Sequence, residues 1–307
     1  MGPYLSAPIT DKESTEGSSG RIRYGATHMQ GWRNTMEDAH VTNMALPGGG
    51  MCFAVFDGHG GKEVAIFAQR HFVEELVKNP KYQAGAVDAA LKETYLAIDS
   101  LLRTSEGCKE VYRIQRDLPS SAPVDLRAAR DGVGAAGCTA VVAVLQSGRL
   151  FVANAGDSRA VLARAGRAVD MSVDHKPDLP EESARIRAAG SSIIEGRVNG
   201  NINLSRSLGD LEYKNVPNLT AERQAVTAFP DVRTMNLTPD DHFLVMCCDG
   251  IWDILSSQEC VEFIYARKEG KSLKAIAEEF CTRCLARSTT ESEGKGCDNM
   301  TVVIVAW

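Results

Sequence analysis

Six short runs of β-branched and apolar residues set the terms for any fold: FAVF (53–56), TAVVAVL (139–145), RLFVANA (149–155), RAVLAR (159–164), FLVMCC (243–248) and TVVIVAW (301–307). Their length and composition mark them as strands. Between them, apolar residues recur at helical spacing. Val64, Ala68, Phe72 and Leu76 form one such face, and Val87, Leu91, Tyr95, Ile98 and Leu102 a second. Ser256 and Glu259 have the spacing of a capping box, which opens a helix through VEFIYAR.

The runs 149–155 and 159–164 are separated only by Gly156-Asp157-Ser158 and read as a hairpin. Asn199-Gly200 is a second hairpin signal. Hairpins outnumber β-α-β crossovers, so antiparallel sheets with helices packed outside are expected. Residues 1–20 are polar and Ser/Gly-rich and read as a flexible tail, leaving 21–307 as a single folded domain. Residues 103–136, containing SSAP and GVGAAG, read as a long surface loop.

The ends of the strands carry the chemistry. One Asp-Gly pair at a strand end is a turn. Here Asp57-Gly58 closes one run and Asp249-Gly250 another, with Asp253 four residues on; Asp298 precedes the last run and Asp157 lies between two. Arg33, Glu37 and Asp38 in RNTMEDAH precede a further apolar stretch. These five acidic clusters are either ordinary turns or ligands on converging strands. Crowded carboxylates raise one another's pKa and stay ionised only when cations neutralise them. Oxygen donors without a His or Cys majority suit Mg²⁺ or Mn²⁺ rather than zinc. Gly58, lacking a side chain, can offer its carbonyl at close range. Neighbours on an extended strand face opposite ways, so only one of Glu37 and Asp38 belongs squarely in the cluster.

Eight motifs in order, GWRNTMEDAH, FAVFDGHGG, GCTAV, NAGDSR, DHKP, RVNGNINLSRSLGD, CCDGIWD and GCDNMTV, resemble those of the protein phosphatase 2C family, the metal-dependent serine/threonine phosphatases. The resemblance covers roughly 23–307. It implies an α+β fold, a four-layer α-β-β-α sandwich of two central antiparallel sheets flanked by helices. It also implies hydrolysis of phosphoserine and phosphothreonine monoesters by a metal-bridging hydroxide at a binuclear Mg²⁺/Mn²⁺ centre. By position, Asp57 would bridge the metals and Gly58 would offer its carbonyl. Asp249 and Asp298 would complete one shell. Glu37 would bind the other metal, directly or through water, with Asp38 orienting that water. Asp157, with Asp249, matches the position of a looser third metal. Arg33 would grip the substrate phosphate, and His59 would be the general acid.

Elementary chemistry suits these roles. Paired divalent ions ready a hydroxide for in-line attack, Arg presents a fork of donors to phosphate, and His titrates near neutrality. Plainer readings are a surface ion-pair arm for Arg33 and a loop residue or metal ligand for His59. Two departures from the family pattern stand out: Cys138 where Ser is frequent, and the long 103–136 connection. Substrate choice would rest on the flap, about 170–215, which keeps RSLGD and Lys214.

The alternative is a catalytically inactive relative that binds phosphoproteins as a regulatory module; it would be favoured by loss of a metal-binding Asp, and all are present. The net charge of −6 and the lack of a basic cluster argue against nucleic-acid partners. GHGGKE lacks the spacing of a nucleotide-binding loop, because Glu63 follows Lys62. Nine cysteines in apolar contexts read as reduced, buried thiols. Cys281-x-x-Cys284 has no second pair to complete a zinc site and falls at helical spacing. No run is long enough to span a bilayer. MGPYLS fits the N-myristoylation pattern at Gly2, with Pro3 an awkward neighbour, which would give weak membrane association. The expected partners are phosphorylated proteins, the expected state a monomer, and the expected location the cytoplasm, with nuclear and membrane-associated pools as further expectations.

Overall fold

The structure, a computed structural model, describes residues 4–132 and 135–307. The lipidation candidate Gly2 lies outside the described residues. Two antiparallel sheets face each other. One has the order Ile9–Ser19, Ile22–Gly31, Met300–Ala306, Asp241–Cys247, Arg159–Arg164, Arg167–Asp170. The other runs Asp231–Asn236, Arg149–Ala155, Ala140–Gln146, Gly50–Phe56, Ala39–Leu46.

Alternation along each strand builds the layers. Phe53 and Val55 point between the sheets, with Val141, Leu162, Leu244 and Val303. Their neighbours Ala54 and Phe56 point the other way, onto helices Glu63–Lys78 and Val87–Leu102 through Phe72, Leu91 and Tyr95. Phe72 and Tyr95 meet edge to face at 5.2 Å, and the buried Tyr95 hydroxyl reaches the Ala140 and Ala153 carbonyls at 3.0 and 2.9 Å. The far side of the first sheet is covered by Ser257–Tyr265 and Leu273–Cys284, through Ile264, Ile276 and Phe280. The result is the expected α-β-β-α sandwich. The Ser256/Glu259 capping box forms in full. All nine cysteines are free and buried, Cys281 and Cys284 among them.

Three local expectations are corrected. Residues 9–19 are an edge strand, not a tail: they pair with Ile22–Gly31 from Ile9↔Gly31 to Ser19↔Ile22. Most of their side chains are exposed, so the backbone ladder holds them, and polar side chains are what an edge strand tolerates. Residues 149–155 and 159–164 are not a hairpin, because the first pairs within one sheet and the second within the other. The chain crosses the sandwich at Gly156 (φ 116°) and Asp157. Leu150, Val152, Ala160 and Leu162 all face the layer between the sheets, a pattern that a hairpin would share. Residues 103–136 are not a loop throughout; they contain helices Ser105–Gln115 and Leu126–Gly132. The first is capped by Thr104, which accepts from the Gly107 amide, and buries Cys108, Val111 and Ile114.

Residues 170–215 form a lobe with a helix, Pro180–Ala188, and a small ladder, Ile193–Ile194 with Arg197–Val198. Its own core is Ile186, Ala189 and Val198 with Ala225 and Val226. Asn199 and Gly200 turn the chain at positive φ, closed by a Val198–Ile202 bridge.

Candidate active site

Antiparallel pairing brings the acidic clusters to one end of the sandwich. Phe56 pairs with Ala39, which sets Asp57 beside Glu37 and Asp38. Cys247 pairs with Val302, which sets Asp249 beside Asp298 and Asn299. The crossover delivers Asp157. Arg33, Glu37, Asp57, Gly58, His59, Asp157, Asp249, Asp253 and Asp298 line one cleft of about 500 Å³.

Asp38 lies behind that cleft, buried. One of its oxygens accepts from the Thr301 hydroxyl at 2.6 Å; the other, Oδ1, has no hydrogen-bond partner. Asp38, Asp57 and Cys248 place ligand atoms within 4.8 Å of one another. Glu37 is tied down differently. Its carboxylate accepts from Thr35 Oγ1 at 2.7 Å and from the Gly61 amide at 3.1 Å, while its own amide donates to Asn299 Oδ1 at 2.9 Å. Of the two acidic neighbours, Glu37 lines the cleft, while Asp38, outside its lining, brings a carboxylate oxygen close to Asp57.

Electrostatics mark the cleft as unfinished. Burial, then the charges of Asp249, Asp38, Asp298 and Asp157, hold the Asp57 carboxyl well above its ordinary range. Burial followed by Asp157, Asp298 and Asp253 does the same to Asp249. Asp38 is pushed up to about 7, chiefly by burial and against the Thr301 hydrogen bond. Arg33 donates to Asp298 at 2.6 Å, and its buried Nε has no partner. Lys176 pairs with Asp157. These two cations do not offset the crowd. Oxygen donors, an unpartnered carboxylate oxygen and like-charge repulsion together fit a site for hard divalent cations. Close backbone approach is enforced: a Cβ on Gly58 would lie 2.3 Å from the Glu37 carbonyl oxygen, and one on Gly250 would lie 2.1 Å from that of Asn299.

His59 Nε2 sits 2.8 Å from the buried Asp210 Oδ2, which also accepts from Ser207. Burial pulls the imidazole down, but the charge and hydrogen bond of Asp210 outweigh it and lift His59 above its ordinary value. Sequence reasoning missed Asp210 as a site residue. It lies 151 positions away, in a left-handed turn (φ 48°) after Leu208–Gly209, a strand of two residues, too short to leave an apolar run in the sequence. Asp99 braces that turn, accepting from the Gly209 amide at 2.8 Å and from Lys214 at 2.6 Å. Also missed were Asn299 and Thr301, which hold the acidic loop in place.

Comparison with known proteins gives the family and the fold. Residues 22–293 match the family model described as Protein phosphatase 2C. The chain is similar to Probable protein phosphatase 2C 6 of Paramecium tetraurelia, 47% identical over 306 residues and 99% of both chains. It is similar to Probable protein phosphatase 2C 21 of Arabidopsis thaliana, 41% identical over 99% of this chain and 92% of that one. In fold it resembles a crystal structure of serine-threonine phosphatase 2C from Toxoplasma gondii, with a TM-score of 0.75, 22% identity and coverage of 100% of this chain and 99% of that one.

Proposed function

The chain belongs to the protein phosphatase 2C family and is a metal-dependent protein serine/threonine phosphatase; from that premise we propose how its residues divide the work. Asp57, Asp249 and Asp298, with Glu37, Asp38 and the Gly58 carbonyl, would hold two divalent cations of the Mg²⁺/Mn²⁺ class. Asp157 and Asp249 offer a looser third position. Bound there, such ions would supply positive charge to the phosphoryl oxygens and lower the pKa of a water.

The chain's own groups do the rest. Arg33 presents its guanidinium to the phosphate, held in aim by Asp298 at 2.6 Å. His59, kept protonated by Asp210, hands a proton to the departing serine or threonine oxygen. Gly58 and Gly250 let the two strand-end turns lie against the Glu37 and Asn299 carbonyls, which keeps the carboxylate-bearing segments close together. The observation that carries this reading is the convergence of half-buried carboxylates in one cleft, whose mutual repulsion holds Asp57 and Asp249 above their ordinary range. An inactive relative would have no use for that cost, and none of the acidic positions has been lost. The test is phosphate release from a phosphothreonine peptide, with and without Mn²⁺. Release that survives complete chelation would overturn the metal assignment.

A further inference from the structure

The beginning of the described chain is part of the cleft. Tyr4 lines it beside Arg33 and Asn34. The placement is anchored, because the Leu5 amide donates to the Trp32 carbonyl at 2.9 Å. Trp32 is itself buried and donates through Nε1 to the Ala286 carbonyl at 2.9 Å. Burial raises the Tyr4 phenol above its ordinary value, and the charges of Arg33 and Asp298 act on it. Arg197, Asn203 and Leu204 of the flap lobe line the same cleft.

A phosphate drawn to Arg33 leaves its polypeptide at the rim. That polypeptide passes residues a small phosphate ester never reaches. Tyrosine suits such a place: its ring packs against side chains, its hydroxyl hydrogen-bonds, and two torsions cost little entropy to fix. We propose that Tyr4 is a specificity-determining residue, packing against the residues that flank the phosphoserine or phosphothreonine of a protein substrate. The proposal rests on the active-site reading above and adds that the cleft recognises the carrier as well as the phosphate.

The experiment compares wild type, Tyr4→Ala and Tyr4→Phe, each with saturating Mn²⁺, on a phosphothreonine peptide and on p-nitrophenyl phosphate. Tyr4→Ala is expected to raise the peptide KM about three- to tenfold, the size of one aromatic contact. The KM for the aryl ester is expected to shift less than twofold, and Tyr4→Phe is expected to keep most of the peptide affinity. Where Tyr4→Ala lowers the melting temperature, Tyr4→Leu, which keeps the bulk, carries the same expectation. Equal rises on both substrates would place Tyr4 on the phosphate through Arg33 and overturn the proposal, as would no rise on either. Wild-type turnover of the aryl ester tests the catalytic reading separately.

Discussion

Two clusters of carboxylates in this molecule, each with a buried member, Asp38 in one and Glu182 in the other, have opposite electrostatics. In the cleft and just behind it, Asp57, Asp249 and the buried Asp38 are held above their ordinary range by desolvation and by neighbouring carboxylates. At the root of the flap lobe, Glu182 is as deeply buried, yet it is pulled down to about 2: burial raises it, but Arg206 and Arg185 more than offset that. Arg206 donates to Glu182 at 2.6 Å and to Asp231 at 2.8 Å, and Arg185 lies 2.7 Å from Glu182. His175 is 3.1 Å from the other Asp231 oxygen. Where a carboxylate serves the fold, the chain supplies the cation. Where the chain withholds it, the charge is left for something from solution.

The sharpest way to break that contrast is Asp57→Asn. Phosphatase activity is expected to fall about 10³-fold or more. The metal-free protein should not lose stability, since a like charge has gone; relief of about 1 kcal/mol would raise Tm by roughly 2–4 °C. Activity assays and metal-free thermal melts check both halves, and a lower metal-free Tm would mean that Asp57 is structural. Arg206→Met is expected to do the reverse. It leaves the buried Glu182 with Arg185 as its one remaining cation and should cost about 3 kcal/mol, read by denaturant unfolding. A cost below about 1 kcal/mol would show that the lobe does not depend on its arginine.

The same contrast separates what the sequence disclosed from what it did not. Asp57, Asp249 and Asp298 were legible because each combines a carboxylate with a strand end, both local features. Asp210 was not, because its role exists only through a contact with His59 made by folding. The crossover at Gly156 looked like a hairpin because strands on facing sheets bury the same alternating residues as strands side by side. The edge strand Ile9–Ser19 was hidden by its polar composition, since backbone pairing leaves no hydrophobic trace. The helix Ser105–Gln115 did carry a signal, Thr104 as cap with Cys108, Val111 and Ile114 at helical spacing, beneath many charged neighbours.

pH sharpens the comparison because the two clusters titrate in opposite senses. Glu182 is lowered from 4.5 to about 2, so its contribution is present above pH 4.5 and is lost as pH falls toward 2; about 3 kcal/mol is its upper scale. Asp38 is raised from 3.8 to about 7, so its contribution is present below pH 3.8 and is lost as pH rises toward 7. On these two groups, metal-free protein should therefore be most stable near pH 4, between the unfolded values of 3.8 and 4.5. Saturating Mg²⁺ favours the ionised carboxylates and should move that maximum toward neutrality. Denaturant midpoints across pH, with and without Mg²⁺, measure the shift. A maximum that stays in place would mean that the cleft carboxylates do not bind the ion.

His59 stands between the two regimes: it lines the unpaired cleft, yet has a partner of its own in Asp210. If that pairing keeps the imidazole protonated for the leaving group, removing the acid should cost most where the leaving group needs the proton. His59→Gln is expected to slow hydrolysis of phosphothreonine, a poor leaving group, about 10²-fold. Loss on p-nitrophenyl phosphate, whose phenolate departs without help, should be about tenfold smaller. Asp210→Asn should give a weaker version of the same pattern and lower the pH at which activity falls on the alkaline side, because the folded His59 would no longer be raised. Equal losses on both substrates would assign His59 to holding the cleft in shape, and the pairing with Asp210 would then belong with the flap lobe's ion pairs.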